Sequence, residues 1–338
     1  MGAVATTSRL TRLMTKNPDY MLRTDESATT GLRRIAEALL ALALTRLLNP
    51  SADRDADIHL VRITIKRLRA IFRLLRPALG ERIFHRENVQ WKKAAQRLGR
   101  PRDIAVGREL LGRNSKAASG ARSRRAFAMV RERFEKRVVF PPVPEREGEM
   151  KAAALILKTS RLRLHRLQMD EDDHALIEHV LKDVFRACRR RMKKAYADDS
   201  DAAFHRWRIR VKNLFYELQC LHPVSPPRLS GTLRRLKKLE EKLGADHDVA
   251  VLKSTLHAHA GQFGGEAEVK VVLGFLQKRS HKLRRESRKL GDVLFAKKPA
   301  RFIHPLHRYW DKTQKKSPRK ATTFNAHARP VSLVPAGS

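Results

Sequence analysis

The sequence predicts an all-α fold assembled from two copies of one helical unit, and three observations predict it. Apolar residues make up 42% of the 338-residue chain and recur at helical rather than alternating spacing. The 16 glycines and 15 prolines collect between long periodic segments instead of punctuating short strands. Two blocks of sequence recur in the same order, the mark of a duplicated unit.

The first block aligns at a shift of 146 residues, laying His59–Pro77 (HLVRITIKRLRAIFRLLRP) on His205–Pro223 (HRWRIRVKNLFYELQCLHP). His59, Arg62, Ile63, Lys66, Leu68, Leu75 and Pro77 meet identical residues. The second block aligns at a shift of 145, laying Trp91–Val106 (WKKAAQRLGRPRDIAV) on Leu236–Val251 (LKKLEEKLGADHDVAV). Lys92, Lys93, Leu98, Gly99, Asp103, Ala105 and Val106 meet their identities there.

Taken in order, residues 1–27 form a polar, disordered lead, and residues 28–140 the first repeat. A linker at 141–149 follows, marked by Pro141, Pro142 and Pro144. The second repeat covers 150–296, a closing segment 297–310, and a basic disordered tail 311–338, rich in Lys, Pro, Ser and Thr. Within the first repeat, helices are expected at 28–48, 56–76 and 84–98, then after Asp103 and at about 121–138. Others are expected at 150–168, 170–197, 202–222 and 229–243, then after Asp248 and at about 266–290. Gly99 and Gly244 sit where a helix C-cap takes a left-handed residue, and Asp103 and Asp248 where the next helix takes an N-cap.

Lys and Arg number 73 against 35 Asp and Glu, a net charge of +38 and a pI near 11.2. That imbalance favours anionic polymers or surfaces as partners and says nothing about fold. The apolar content is enough for a sizeable core, which excludes wholesale disorder. Cys188 and Cys220 stand in neither a metal nor a redox spacing, so reduced thiols and a cytoplasmic location are expected. The longest apolar run, Ile35–Leu48, contains Glu37 and Arg46 and is too short and too charged to span a bilayer. The lead carries only chance likenesses to a myristoylation site (Gly2 to Thr6) and to a transit peptide.

The recurring helix carries the functional signal. At about 100° per residue, His59, Arg62, Lys66, Arg69 and Arg73 fall within one sector about 80° wide. Val61, Ile65, Leu68, Phe72 and Leu75 fall opposite. The cationic front contains no acidic residue and is roughly 21 Å long at about 1.5 Å per residue. In the second copy His205, Arg208 and Lys212 keep the register, while Phe215 and Gln219 replace the last two cations. A basic run is ordinarily a solvated face, but solvated faces mix Glu with Lys to gain i,i+4 pairs. Two such stripes facing each other would repel unless a polyanion lay between them.

The pattern His, two residues, Arg, three residues, a cation, then Leu-Gly-x-x-[Arg/His]-Asp-[Ile/Val]-Ala-Val, and both again, resembles the CHAD family (conserved histidine α-helical domain). The resemblance covers about residues 28–310, including Phe295–Phe302 and Tyr309-Trp310 near the end. It implies two pseudo-symmetric four-helix-bundle repeats flanking a central basic cleft, and binding of inorganic polyphosphate, with polyphosphate granules as one location. Carried over by position, the contacts would be His59, Arg62, Lys66, Arg69, His205, Arg208 and Lys212. Arg67, Lys92, Lys93, Arg102, Lys237 and Lys238 would support them, and Arg73 ends the first stripe. Phe215, Asn213 and His247 depart from the pattern and bear on how tightly the second half grips.

No catalytic residue, cofactor or metal is expected. His59 and His205 lack acidic or Cys partners in their own helices, and the cations around them would repel a metal ion. Each is weighed as an anion contact against a satisfied structural histidine. Asp103 and Asp248 are explained by capping before catalysis, and only one Lys of each adjacent pair can turn inward. Glu147-Gly-Glu149-Met-Lys151 matches a Glu-x-Glu-x-Lys triphosphatase signature, yet no β-barrel pattern follows it. No P-loop or nucleophile elbow occurs. The expectation is a non-catalytic polyphosphate-binding protein, with a nucleic-acid-binding protein as alternative and a polyphosphate phosphohydrolase as a third. An aromatic content of 6% argues against base stacking. The sequence does not fix oligomeric state or chain-length preference.

Overall fold

The structure, a computed structural model, describes residues 20–137, 143–167, 174–258, 260–263 and 265–316. Eleven α-helices and no strand occur among the described residues. In chain order they are α1 (Ala28–Leu48), α2 (Arg54–Leu74), α3 (Arg76–Arg97), α4 (Arg100–Ala117), α5 (Ala121–Arg137) and α6 (Val143–His165). There follow α7 (His174–Asp198), α8 (Asp201–Cys220), α9 (Pro226–Ala258), α10 (Glu266–Leu294) and α11 (Pro299–Lys316). None of the described helices is long and apolar enough to cross a membrane.

Local chemistry sets the starts of the helices that matter most. Asp53 caps α2 by accepting the Ala56 N–H at 2.9 Å, and Asp55 and Asp57 add negative charge to the first turn, where the helix dipole favours it. Ser200 caps α8 in the same way through the Ala203 N–H.

In the first half α1 packs on α2 and α2 on α3, and in the second α7 packs on α8 and α8 on α9. The large core also takes in α6, which lies on α1 and α3, and α11, which lies on α7. Trp91 and Trp207 are its largest fully buried side chains, and Phe72 meets Trp91 edge-on at 4.4 Å. A second, smaller core joins α4 and α5 to the far half of α9 and to α10. Phe127 of α5 meets Phe275 of α10 edge-on at 5.3 Å. The two halves therefore share helices across this core.

Several boundaries differ from expectation. The lead is ordered at its end: Tyr20 and Leu22 are buried, the Leu22 N–H donates to the Cys220 carbonyl at 3.0 Å, and the Tyr20 hydroxyl donates to the Tyr216 carbonyl at 2.9 Å. Two large apolar side chains at the end of α8 gain more by burial than a polar strand gains by staying solvated. Residues 1–19 lie outside the described residues. The linker expected at 141–149 is helical from Val143 onward, and α6 packs with the first half. Residues 311–316 prolong α11, and the rest of the expected tail lies outside the described residues.

The cap expectations also fail, for two reasons. Gly99 has φ −89° and precedes α4 directly, so Asp103 lies inside that helix. In the second copy α9 runs unbroken through Gly244 and Asp248. Pro101, which lacks an N–H and crowds the preceding turn, breaks the first copy. Its counterpart Asp246 is instead buried in α9, where it accepts from Ser280 Oγ and, at 3.2 Å, from Arg284 Nε.

Candidate functional site: the seam between the two basic helices

The stripe-bearing helices α2 and α8 pack against each other. Their apolar backs are fully covered, with Val61, Ile65, Leu68 and Phe72 on α2 and Trp207, Val211, Leu214 and Leu218 on α8 all at 1% exposure or less. His59, Arg62, Lys66, Arg69, Arg73, His205, Arg208 and Lys212 are all half-buried. The cations are thus partly covered rather than fully solvated.

On α2, Arg62, Arg67 and Arg69 have distinct neighbours. The Arg62 guanidinium donates to the Leu98 carbonyl at 2.9 Å and weakly to Ala95 at 3.4 Å, satisfying carbonyls that end α3. A Cβ on Gly99 would stand 2.9 Å from Arg62 Nη1 and 3.0 Å from the Gln96 carbonyl oxygen, a close approach made without any left-handed backbone. Arg69 Nε donates to Asn88 Oδ1 at 2.7 Å, and burial, then the neighbouring Arg73, lowers its pKa. Arg67 lies 4.7 Å above the Tyr20 ring.

Arg73, at the end of the first stripe, reaches across to α8 and pairs with the fully buried Glu217 at 2.6 Å. A carboxylate cannot be buried alone at modest cost, so Arg73 is committed to it. Burial, opposed by Arg73, still raises the Glu217 pKa.

On α8 the second stripe carries its own counter-charge. Lys212 pairs with Glu240 of α9 at 2.8 Å, and Lys237 reaches the same carboxylate at 3.0 Å. Against burial, which alone would raise it, Lys212 and Lys237 draw the Glu240 carboxyl down to about 2. The counterpart of Glu240 in the first copy is Ala95, so this acid is peculiar to the second half. The Lys212 ammonium has a lowered pKa through burial first and Arg208 next.

His205 Nδ1 lies 3.1 Å from His247 Nδ1, with the rings 4.4 Å apart. Burial, then Arg208, His205 and Lys212, pushes His247 down to about 3. His205 is lowered as well, by burial, Arg208, Arg206 and Lys212. The pair is therefore neutral near pH 7, one ring nitrogen donating to the other.

Cations of both halves act on one group. Burial pushes the Tyr216 phenol of α8 up to about 12, and Glu240 adds to the rise, while Arg67 from the first half and Arg208 from the second both oppose it. The other expected contacts divide: Lys237 turns inward toward Glu240 and, at 5.9 Å, the Phe215 ring, while Lys238, Lys92 and Lys93 are exposed. The Arg102 side chain lies outside the described residues. Among the described residues no cluster of three His, Cys, Asp or Glu could hold a metal ion.

Sequence reading did not find Glu217, Glu240 or Tyr20, and it met His247 only as a departure from a pattern. Each comes to the stripe from another helix or segment, a register that no spacing within α2 or α8 encodes.

Comparison with known proteins adds a family and a fold. The CHAD domain family matches over residues 5–112 and 34–257. Among solved structures, the crystal structure of the CHAD domain from the plant Ricinus communis is similar, with a TM-score of 0.57 and 19% identity, covering 84% of this chain and 94% of that one. No curated protein matches the chain.

Proposed function

From the premise that the chain belongs to the CHAD domain family, we propose that it binds inorganic polyphosphate, without catalysis, at the seam between α2 and α8. The observation that carries the reading is that α2 and α8 pack against each other while His59, Arg62 and Lys66 of one and His205, Arg208 and Lys212 of the other are all half-buried. Cations from two sequence-distant helices bear on one place, where their repulsion is relieved by a ligand of many negative charges.

The grip is multivalent. Lys66, Arg208 and His59 would contact successive phosphoryl oxygens, with Arg able to bind two at once, and release of counterions drives association. Lys212 and Lys237 would join by exchanging Glu240 for phosphate. The cytoplasm, with its polyphosphate granules, is the location this reading implies.

Competition tests it. Long-chain polyphosphate should displace single-stranded DNA of matched charge, and not the reverse, and incubation with polyphosphate and Mg²⁺ should release no orthophosphate. Displacement of polyphosphate by the DNA would transfer the assignment to nucleic acid, and orthophosphate release would make the protein a phosphohydrolase.

A further inference from the structure

A second basic groove lies behind α8, between α7 and α10. Its volume is about 530 Å³, and it is lined by Arg189, Met192, Lys193 and Tyr196 of α7 and by Arg288 and Asp292 of α10, among others. Gly291 forms part of its floor: a Cβ there would stand 2.7 Å from Met192 Sδ and 3.2 Å from Trp207 Cζ2. Trp207 belongs to the apolar back of α8, roughly 200° around the helix from His205. Tyr196 packs edge-on against it at 5.7 Å. The groove and the seam are thus on opposite sides of α8.

The charge at this groove is mainly positive, with Arg189, Lys193 and Arg288 against Asp292. Arg189 and Lys193, one turn apart on α7, form no ion pair among the described residues. Facing them, Arg288 lies over the Tyr196 ring at 5.0 Å, a contact that holds the guanidinium at the groove mouth while leaving its edge for an anion. Asp292 is the one acid in the lining. A structural explanation of so many like charges would supply Glu partners, as α6 supplies Glu147 and Glu149 to Arg54 and Arg97.

We propose that the α7–α10 groove is a second polyanion site, taking a further segment of phosphate chain, so that one protein bridges two chains. The bridging half of the inference rests on the seam being the first site. Two sites on opposite sides of one helix cannot be spanned by one short chain, whereas two chains, or distant parts of a long one, are drawn together.

Calorimetry with a short polyphosphate, together with light scattering with a long one, tests this on the full chain. The comparison uses Arg189→Gln/Lys193→Gln/Arg288→Gln at the groove, Lys66→Gln/Arg208→Gln/Lys212→Gln at the seam, and Arg122→Gln/Arg124→Gln/Arg125→Gln on α5 as a charge-matched control. Of the six residues in the groove and control variants, five are exposed and Arg189 is half-buried, so folding, checked by circular dichroism, should persist. The groove variant should bind one short chain fewer than the parent and need about tenfold more protein to scatter with long chains, while the control matches the parent. Unchanged stoichiometry in the groove variant, or an equal loss in the control, would overturn the second site. A seam variant that loses nothing while the groove variant loses its chain would sink the seam reading and leave the groove standing.

Discussion

Arg73 of α2 and Glu217 of α8 form a 2.6 Å ion pair that ties the first half of the chain to the second, with the carboxylate fully buried. Removing the cation leaves an uncompensated charge inside the protein. Arg73→Ala should therefore cost about 3–5 kcal/mol, read by denaturant unfolding. Replacing both partners, as in Arg73→Met/Glu217→Leu, should recover most of that loss. A double variant as unstable as the single one would show that the pair contributes more than mutual neutralisation.

The histidine pair sets a pH dependence. Folded, His247 holds its proton only below about 3, against ~6.5 in the unfolded chain. The unfolded state therefore takes up more protons as pH falls, so the stability this group contributes is intact above ~6.5 and is lost as pH drops toward 3. A bound polyanion works in the other direction by favouring imidazolium, so polyphosphate affinity should rise as pH falls from ~6.5 toward 3. His247→Gln should flatten that rise. An affinity independent of pH in the parent protein would show that neither ring meets the ligand.

Glu240 holds two cations that a phosphate chain would use, Lys212 at 2.8 Å and Lys237 at 3.0 Å. Glu240→Gln should tighten polyphosphate binding by about tenfold and steepen its salt dependence. The same change should lower stability, because Lys212 is half-buried and loses its counter-charge. Weaker binding in this variant would mean that Glu240 orients the lysines rather than competing with the ligand.

The chain preceding α1 fastens the seam. Leu22 is 2% exposed and its N–H bonds to Cys220 at the end of α8. Leu22→Ala should cost about 2–5 kcal/mol, and Tyr20→Phe, losing one hydrogen bond to the Tyr216 carbonyl, about 1 kcal/mol. Thermal unfolding checks both. Truncation at residue 27 with no loss of Tm would contradict the role given to this segment.

What the sequence revealed follows from what its patterns encode. The helical class was legible because the apolar back of α2 repeats at 3.6 residues, and the two basic helices because His59, Arg62 and Lys66 recur as His205, Arg208 and Lys212. Those six side chains do stand on helices that meet. The commitments of Arg73 to Glu217 and of Lys212 to Glu240 were not legible, since each joins two helices whose relative register only tertiary packing fixes. The break at Pro101 and the continuity of α9 could have been read from the proline alone. Leu98-Gly99 and Asp103 recur as Leu243-Gly244 and Asp248, so the two copies read alike where their backbones differ. The order at Tyr20 escaped because a single aromatic in a polar lead carries no periodicity.

A crystal structure with a short polyphosphate bound tests the central claim most directly. The account expects phosphoryl density running between α2 and α8, within hydrogen-bonding distance of Lys66, Arg208 and the His205–His247 pair. Density confined to exposed cations away from both helices, with that seam filled by water, would contradict it.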